Sequence, residues 1–183
     1  MADLESDCVE RKESAADGRR IRRNICAFAN DLPGNARPGV VLVGVRDDGT
    51  CASLPIDDEL LVRLSNIHGK GDILPLPSMT VQKRHLNGCE VAVVTVEPSA
   101  DLPVRYRGRV SVRVGPSVRE GSVENERLLS ERRRAADLSF DSRPADGIEI
   151  TDPIRNRKQL TGRLDDVIRR IGKITCRSAL LGE

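Results

Sequence analysis

The sequence predicts one mixed α/β domain of the α+β type, and three observations support this. Residues 18–30 place apolar side chains at i, i+4, i+7 and i+8, which makes one stripe along a helix. Residues 40–45 are a continuous and largely β-branched apolar run, typical of a strand buried on both faces. Asn87-Gly88 separates two strand-like segments and is the strongest hairpin signal in the chain.

The remaining elements follow from periodicity and turn residues. A first strand over residues 7–12 is polar enough to lie at a sheet edge, and Asp17 is placed to cap the helix that follows. Asp47-Asp48-Gly49 predicts a turn after the buried strand, with a short return strand behind it. The later predictions are helices over 55–67 and 122–136, strands over 79–86 and 90–97, and a hairpin formed by 103–107 and 110–114.

The chain is predicted to divide near residue 136. Residues 1–136 contain the α+β pattern, and residues 137–183 read as a linker and C-terminal tail. Within the tail, residues 156–174 keep the spacing of an amphipathic helix, weakened by Gly162. Such a helix suits pairing with a partner protein or with a second copy, so a homo-oligomer remains an open alternative.

Composition excludes several classes of function. The chain has 183 residues, 32% of them charged, and a net charge of only +2, so it is not a polycation as a whole. Aromatic residues make up 2%, which argues against base stacking. The apolar runs are too short for a membrane span, and the N-terminus lacks the pattern of a signal peptide.

The five cysteines are an odd number without C-x-x-C spacing. Neither a disulfide framework nor a zinc site is expected from them, which predicts a reducing, cytoplasmic location.

The positive charge is concentrated in local patches. Residues 105–134 carry nine arginines against four glutamates. Arg105, Arg107, Arg109 and Arg113 fall on the predicted hairpin, where alternation with valines suggests one wet, basic face without nearby acids in the sequence. We therefore expect these four, together with Lys12, to contact the phosphates of DNA or RNA. The alternative is a solvent-facing strand whose arginines pair with acids. A second basic cluster occupies residues 19–23.

Several motifs in order carry a family resemblance. They are Glu5-Ser6-x3-Glu10-x-Lys12, then Ile-Cys-Ala-Phe-Ala-Asn at 25–30, Val-Leu-Val-Gly-Val-Arg-Asp-Asp-Gly at 41–49, and Val-Arg-Tyr-Arg-Gly-Arg-Val-Ser-Val-Arg-Val-Gly-Pro at 104–116. Together they resemble the Schlafen AlbA_2 family, whose bacterial members are described as DNA-binding, ATP-binding or transcriptional-regulator proteins. The resemblance implies an AlbA_2-like mixed sheet with about three packed helices, and a nucleic-acid-binding, regulatory function without a required cofactor.

The resemblance also implies an alternative function. In animal relatives, the segment that corresponds to Glu5, Glu10 and Lys12, with an aspartate that corresponds to Asp47, forms a metal-dependent ribonuclease site. Asp48 is the alternative candidate for the role of Asp47. Carboxylates of Glu5, Glu10 and Asp47 would hold Mg²⁺ or Mn²⁺, while Lys12 would neutralise phosphate charge.

Binding without catalysis is the preferred prediction. Arg11 interrupts the motif where relatives often have an apolar residue, and the two glutamates also fit solvated positions on an edge strand. A third alternative is an interaction module from a larger ATP-binding-type protein. The chain contains no G-x-x-x-x-G-K-S/T phosphate loop, so the residues do not support the family's ATP-binding label.

Overall fold

Two four-stranded sheets and three helices make up the described part of the chain, which is residues 8–67 and 71–141 of a computed structural model. The mixed α+β fold class is confirmed, although the strands divide between two sheets. The elements are β1 (Val9–Lys12), α1 (Gly18–Asn30), β2 (Gly39–Val43), α2 (Asp58–Ser65), β3 (Ile73–Leu74), β4 (Met79–Leu86), β5 (Cys89–Val96), β6 (Arg105–Tyr106), β7 (Arg109–Val114), β8 (Ser117–Glu120) and α3 (Val123–Asp141).

The first sheet has the order β1-β2-β5-β4, in which β1 runs parallel to β2 and the other pairs are antiparallel. Its central strands β2 and β5 are buried on both faces, which is why they read as continuous apolar runs. Strand β1 lies at the edge, as its polar sequence predicts, and its register places Glu10 opposite Val41. The Asn87-Gly88 hairpin is confirmed, with both residues at positive φ.

Helix α1 packs its apolar stripe into the core and begins at the predicted cap. The Asp17 carboxylate accepts a hydrogen bond from the Arg20 backbone N–H at 2.9 Å. Phe28 lies against the start of β2, where a Cβ at Gly39 would come within 2.0 Å of the Phe28 ring. Only glycine permits this close approach of helix and strand.

The second sheet has the order β3-β6-β7-β8. Strands β3 and β8 were not predicted. The first has only two residues and the second is mostly exposed and polar, so neither shows a periodic pattern of apolar residues. The predicted hairpin is present as β6 and β7, joined by Arg107 and Gly108 at positive φ.

The prediction of a wet face on that hairpin is wrong. Ser111 and Arg113 are both buried, each with 3% of its surface exposed. Helix α1 packs against β7, while Val110 and Val112 pack with Leu129 of α3. Strand β7 is therefore enclosed on both faces, so the alternation of valines with Ser111 and Arg113 does not mark a solvent-facing side.

Asn30 ties α1 to this second sheet. Its amide Nδ2 donates to the carbonyl oxygens of Val104 (2.9 Å) and Ser111 (2.8 Å), and its Oδ1 accepts from the Val104 N–H at 2.8 Å. The side chain is fully buried, so its amide satisfies backbone groups that would otherwise lack partners.

Cys51 and Cys89 form a disulfide, with Cα atoms 5.6 Å apart. The expectation of no disulfide is therefore wrong: spacing along the chain does not show that the segment after β2 folds back onto β5. Because a disulfide is present, the cysteines no longer support a reducing compartment. The predicted return strand after Gly49 is reduced to one bridge between Val45 and Cys51.

Helix α3 starts as predicted, with the Ser122 hydroxyl accepting from the Asn125 N–H at 3.2 Å. It continues past the expected end at residue 136 to Asp141. The predicted tail helix over 156–174 lies outside the described residues. Within residues 8–67 and 71–141, none of the helices is both long and apolar enough to cross a membrane.

Candidate functional site: an arginine-lined cleft above a buried ion network

A buried ion network joins the edge strand β1 to helix α1 and strand β7. Glu10 is 5% exposed, and its carboxylate accepts from Arg113 Nη1 at 2.8 Å on one oxygen. The other oxygen accepts from Lys12 Nζ and from Asn24 Nδ2, the latter at 3.3 Å. Two cations therefore surround one carboxylate, which compensates its charge in the interior and leaves the group of three net positive.

Arg113 is the centre of this network. Besides Glu10, it donates to Asn24 Oδ1 at 3.2 Å and to the Val9 carbonyl oxygen at 2.9 Å. Its guanidinium carbon lies 5.0 Å from the centre of the Phe28 ring, a cation–π contact. The side chain thus links three elements, so its role in the described part is structural, and the expectation that it contacts phosphate from an exposed face is wrong.

The pKa of Glu10 is lowered from its ordinary value of 4.5. Burial by itself would raise this pKa, because it disfavours the charged form. The hydrogen bonds and positive charges of Lys12 and Arg113 together outweigh burial. Glu10 is therefore a carboxylate at neutral pH.

We expect the folded protein to lose stability as pH falls through the lowered pKa of Glu10. Because the folded state favours the charged carboxylate more than the unfolded chain does, this stabilisation is complete above pH 4.5 and disappears below it. Urea unfolding between pH 6 and pH 3 measures the effect. The Glu10→Gln variant should show a flatter pH dependence; a dependence as steep as that of the original chain would contradict the assignment.

The predicted nuclease residues are only partly brought together. Glu10 and Lys12 are in contact, whereas Asp47 is exposed in the turn after β2, where its carbonyl oxygen accepts from Arg11 Nη1 at 3.1 Å. The Asp48 carboxylate accepts hydrogen bonds from the hydroxyl and the N–H of Thr50, and these bonds lower the pKa of Asp48. Glu5 lies outside the described residues.

The described residues also do not present a metal site. Within residues 8–67 and 71–141, no three His, Cys, Asp or Glu side chains are grouped to hold a metal ion. Glu10 already has two cationic partners, a poor setting for a divalent cation. Metal binding by Glu5, Glu10 and Asp47 thus stays a prediction from resemblance.

The exposed arginines of the hairpin have acidic partners after all. Arg105 pairs with an acid of α3, Arg107 with one that precedes β3, and Arg109 with one of β8. In the same order, the acidic partners are Glu126 at 2.8 Å, Asp72 at 3.2 Å and Glu120 at 3.0 Å. The acids come from distant segments or the far strand, so the sequence around the hairpin did not reveal them. Exposed pairs of this kind are weak, and the three side chains remain reachable from solvent.

A cleft of about 390 Å³ opens between the first turns of α1 and the turn that leads into β8. We call it the arginine cleft. Three arginines of α1, together with Glu10, Asp17 and Ser117, contribute to its lining; the arginines are Arg19, Arg20 and Arg23. Glu10 thereby connects the cleft to the buried network below it.

The three cleft arginines differ from those of the hairpin in their partners. Within residues 8–67 and 71–141, none of them has a carboxylate within salt-bridge distance. The neighbouring Arg22 instead pairs with Asp72 at 3.8 Å and donates to the Gly18 carbonyl. The difference follows from helical geometry, which turns residues 19, 20 and 23 away from the buried stripe and places residue 22 at the border of that stripe.

Sequence reasoning recognised this cluster as basic but did not assign it to the site. The available signal was the helical wheel: these arginines lie away from the buried stripe, and few acids share their face. The cleft itself was not foreseeable, since β8 was not predicted.

Comparison with known proteins adds a family match. The model of the family described as Schlafen, AlbA_2 matches residues 5–122. No curated protein matches the chain.

Two solved structures match part of the chain. The crystal structure of the DIP2311 protein from Corynebacterium diphtheriae is 22% identical with a TM-score of 0.50, over 70% of this chain and 27% of that one. The solution structure of the N-terminal domain of a RecG-related protein from Nitrosomonas europaea is 21% identical with a TM-score of 0.44, over 56% and 72%. The present chain thus spans about a quarter of the DIP2311 protein.

Proposed function

Because the chain belongs to the Schlafen AlbA_2 family, we propose that it is a nucleic-acid-binding domain whose principal contact surface is the arginine cleft. The observation that carries the proposal is the set of three arginines that face one cleft without acidic partners in the described part of the chain. Unpaired guanidinium groups on one wall are suited to bind phosphate oxygens. A regulatory role, as named for bacterial relatives, is a further expectation from the family.

The hairpin arginines fit a secondary contact. Arg107 and Arg109 keep 64% and 74% of their side-chain surface exposed, so a phosphate could compete with their present partners. Each such exchange gives up an existing ion pair, whereas binding at the cleft arginines does not. We therefore expect the cleft to contribute more to affinity than the hairpin.

The metal-dependent ribonuclease alternative has one supporting observation, the presence of Glu10 at the cleft. Its engagement with Lys12 and Arg113 weighs against a role as a metal ligand. We therefore rank binding first.

Replacing Arg19, Arg20 and Arg23 together by alanine is expected to weaken binding of a labelled oligonucleotide by at least about tenfold at low salt. Each phosphate contact contributes about 0.7–0.9 to the slope of log affinity against log salt, so the slope should fall by about 2 to 3. Fluorescence anisotropy over a salt series measures both quantities.

A matched control removes the same charge elsewhere. Arg63, Arg84 and Arg134 are exposed and lie outside the cleft, so their triple alanine variant changes net charge by the same amount. We expect this control to lose little affinity. Equal losses in the two triple variants would reject the cleft as the site, and binding insensitive to salt in the original chain would reject the function.

A further inference from the structure

We infer that the arginine cleft accepts the backbone of a single, unpaired nucleic-acid strand and discriminates against duplex. The inference rests on the proposed function and specifies its ligand. Three properties of the cleft support it: its size, the arrangement of its charges and the chemistry of its lining.

The size of the cleft suits one small unit of a flexible chain. Its volume of about 390 Å³ lies near the lower end of the range of about 300–1,000 Å³ typical of small-molecule pockets. A double helix carries its phosphates on convex ridges that flank grooves about 6 and 12 Å wide. Such a ridge is rigid, whereas a single strand can bend one nucleotide into a cleft of this volume.

The charges of the cleft are arranged asymmetrically. Arg19, Arg20 and Arg23 belong to the α1 side and outnumber its one carboxylate, that of Asp17, which caps the helix by accepting from the Arg20 N–H. The Glu10 carboxylate lies among its buried partners in β1 and β7. A phosphate is attracted to the helix side and gains nothing by approaching Glu10, which already has two cationic partners.

The region near Glu10 and Ser117 therefore favours uncharged hydrogen-bonding groups, such as those of a sugar or a base edge. A strand that places its phosphate on one wall and its sugar and base in the interior must be unpaired. In a duplex, the Watson–Crick edges are engaged with the opposite strand and stacking holds each base inside the helix, so a whole nucleotide cannot turn into the cleft.

The lining predicts backbone recognition without base stacking. Among the residues that the structure describes, those that line the cleft include no aromatic side chain. The ring of Phe28 is covered by Arg113, and that of Tyr106 lies beneath Arg107 at 5.4 Å. Affinity should therefore depend on phosphate contacts and be tolerant of base sequence.

Anisotropy titrations with labelled ten-nucleotide strands of mixed sequence, and with blunt duplexes of the same sequence, test the inference. DNA and RNA forms of each are used at low salt. We expect the single strands to bind at least about tenfold more tightly than the duplexes, with little difference between sequences.

The variant Ser117→Leu narrows the cleft without changing charge or adding an aromatic ring, at an exposed position of β8. It should lower affinity for single strands several-fold and leave duplex binding nearly unchanged.

The two hypotheses fail in different ways. Duplexes that bind as tightly as single strands would overturn the strand selectivity and leave the proposed function in place, provided that the arginine triple variant still loses affinity. A Ser117→Leu variant with unchanged single-strand affinity would also overturn the selectivity. Absence of salt-dependent binding to every probe would reject both.

Discussion

Replacing Arg113 by alanine is expected to lower the free energy of unfolding by about 3–5 kcal/mol. Removing one partner of a buried ion pair is strongly destabilising, because the remaining charge loses compensation that it cannot recover from water. Here the variant would remove one of the two cations that contact Glu10 and leave Lys12 as the other among the described partners. It would also remove the hydrogen bonds to Asn24 and Val9 and the contact with Phe28.

Urea unfolding followed by circular dichroism measures this loss. Arg109 is the matched control, because it lies on the same strand and pairs with Glu120, yet its side chain is 74% exposed. Arg109→Ala should cost about 0–1 kcal/mol. The double variant Glu10→Gln with Arg113→Met should be less destabilised than the sum of the single changes, since neither charge is then left alone. A loss for Arg113→Ala no larger than that of the control would show that Arg113 is not a core residue.

Removing the Cys51–Cys89 disulfide is expected to cost about 4 kcal/mol. The bridge closes a loop with a sequence separation of 38, and the entropy that such a loop loses in the unfolded chain predicts this magnitude. It ties the segment after the acidic turn to the start of β5. Reduction of the intact protein should lower the melting temperature by about 10 °C or more.

Reduction is the cleaner test, because it leaves both side chains in place. The double variant Cys51→Ala and Cys89→Ala should match the reduced protein under non-reducing conditions and should not respond to reductant. Cys26 does not complicate this comparison, since burial raises the pKa of its thiol to about 11 and keeps it protonated. A melting temperature that is the same with and without reductant would contradict a stabilising bridge.

The sequence by itself determined the local elements and the family. Helix α1 with its Asp17 cap, the buried strand β2 and the Asn87-Gly88 hairpin were all predicted, because periodicity, capping and turn residues act over a few neighbouring positions. Helix α1 and strand β2 also carry motifs that led to the family assignment, which the match over residues 5–122 confirms. The short strands β3 and β8 escaped prediction for the opposite reason, since neither is long enough or regular enough to show a period.

Only the tertiary structure decided which charges are available to a ligand. In the sequence, the arginines of the hairpin looked unpaired, and those of α1 were simply another basic cluster. Folding brings Glu10, Asp72, Glu120 and Glu126 to the hairpin arginines. In the described part of the chain it leaves the three cleft arginines without a carboxylate within salt-bridge distance, although Glu10 and Asp17 also line the cleft. The physical reason is that ion pairing depends on distances of a few ångströms between residues as many as 103 positions apart, as for Glu10 and Arg113. Such distances follow from sheet order and helix packing, which local patterns do not encode.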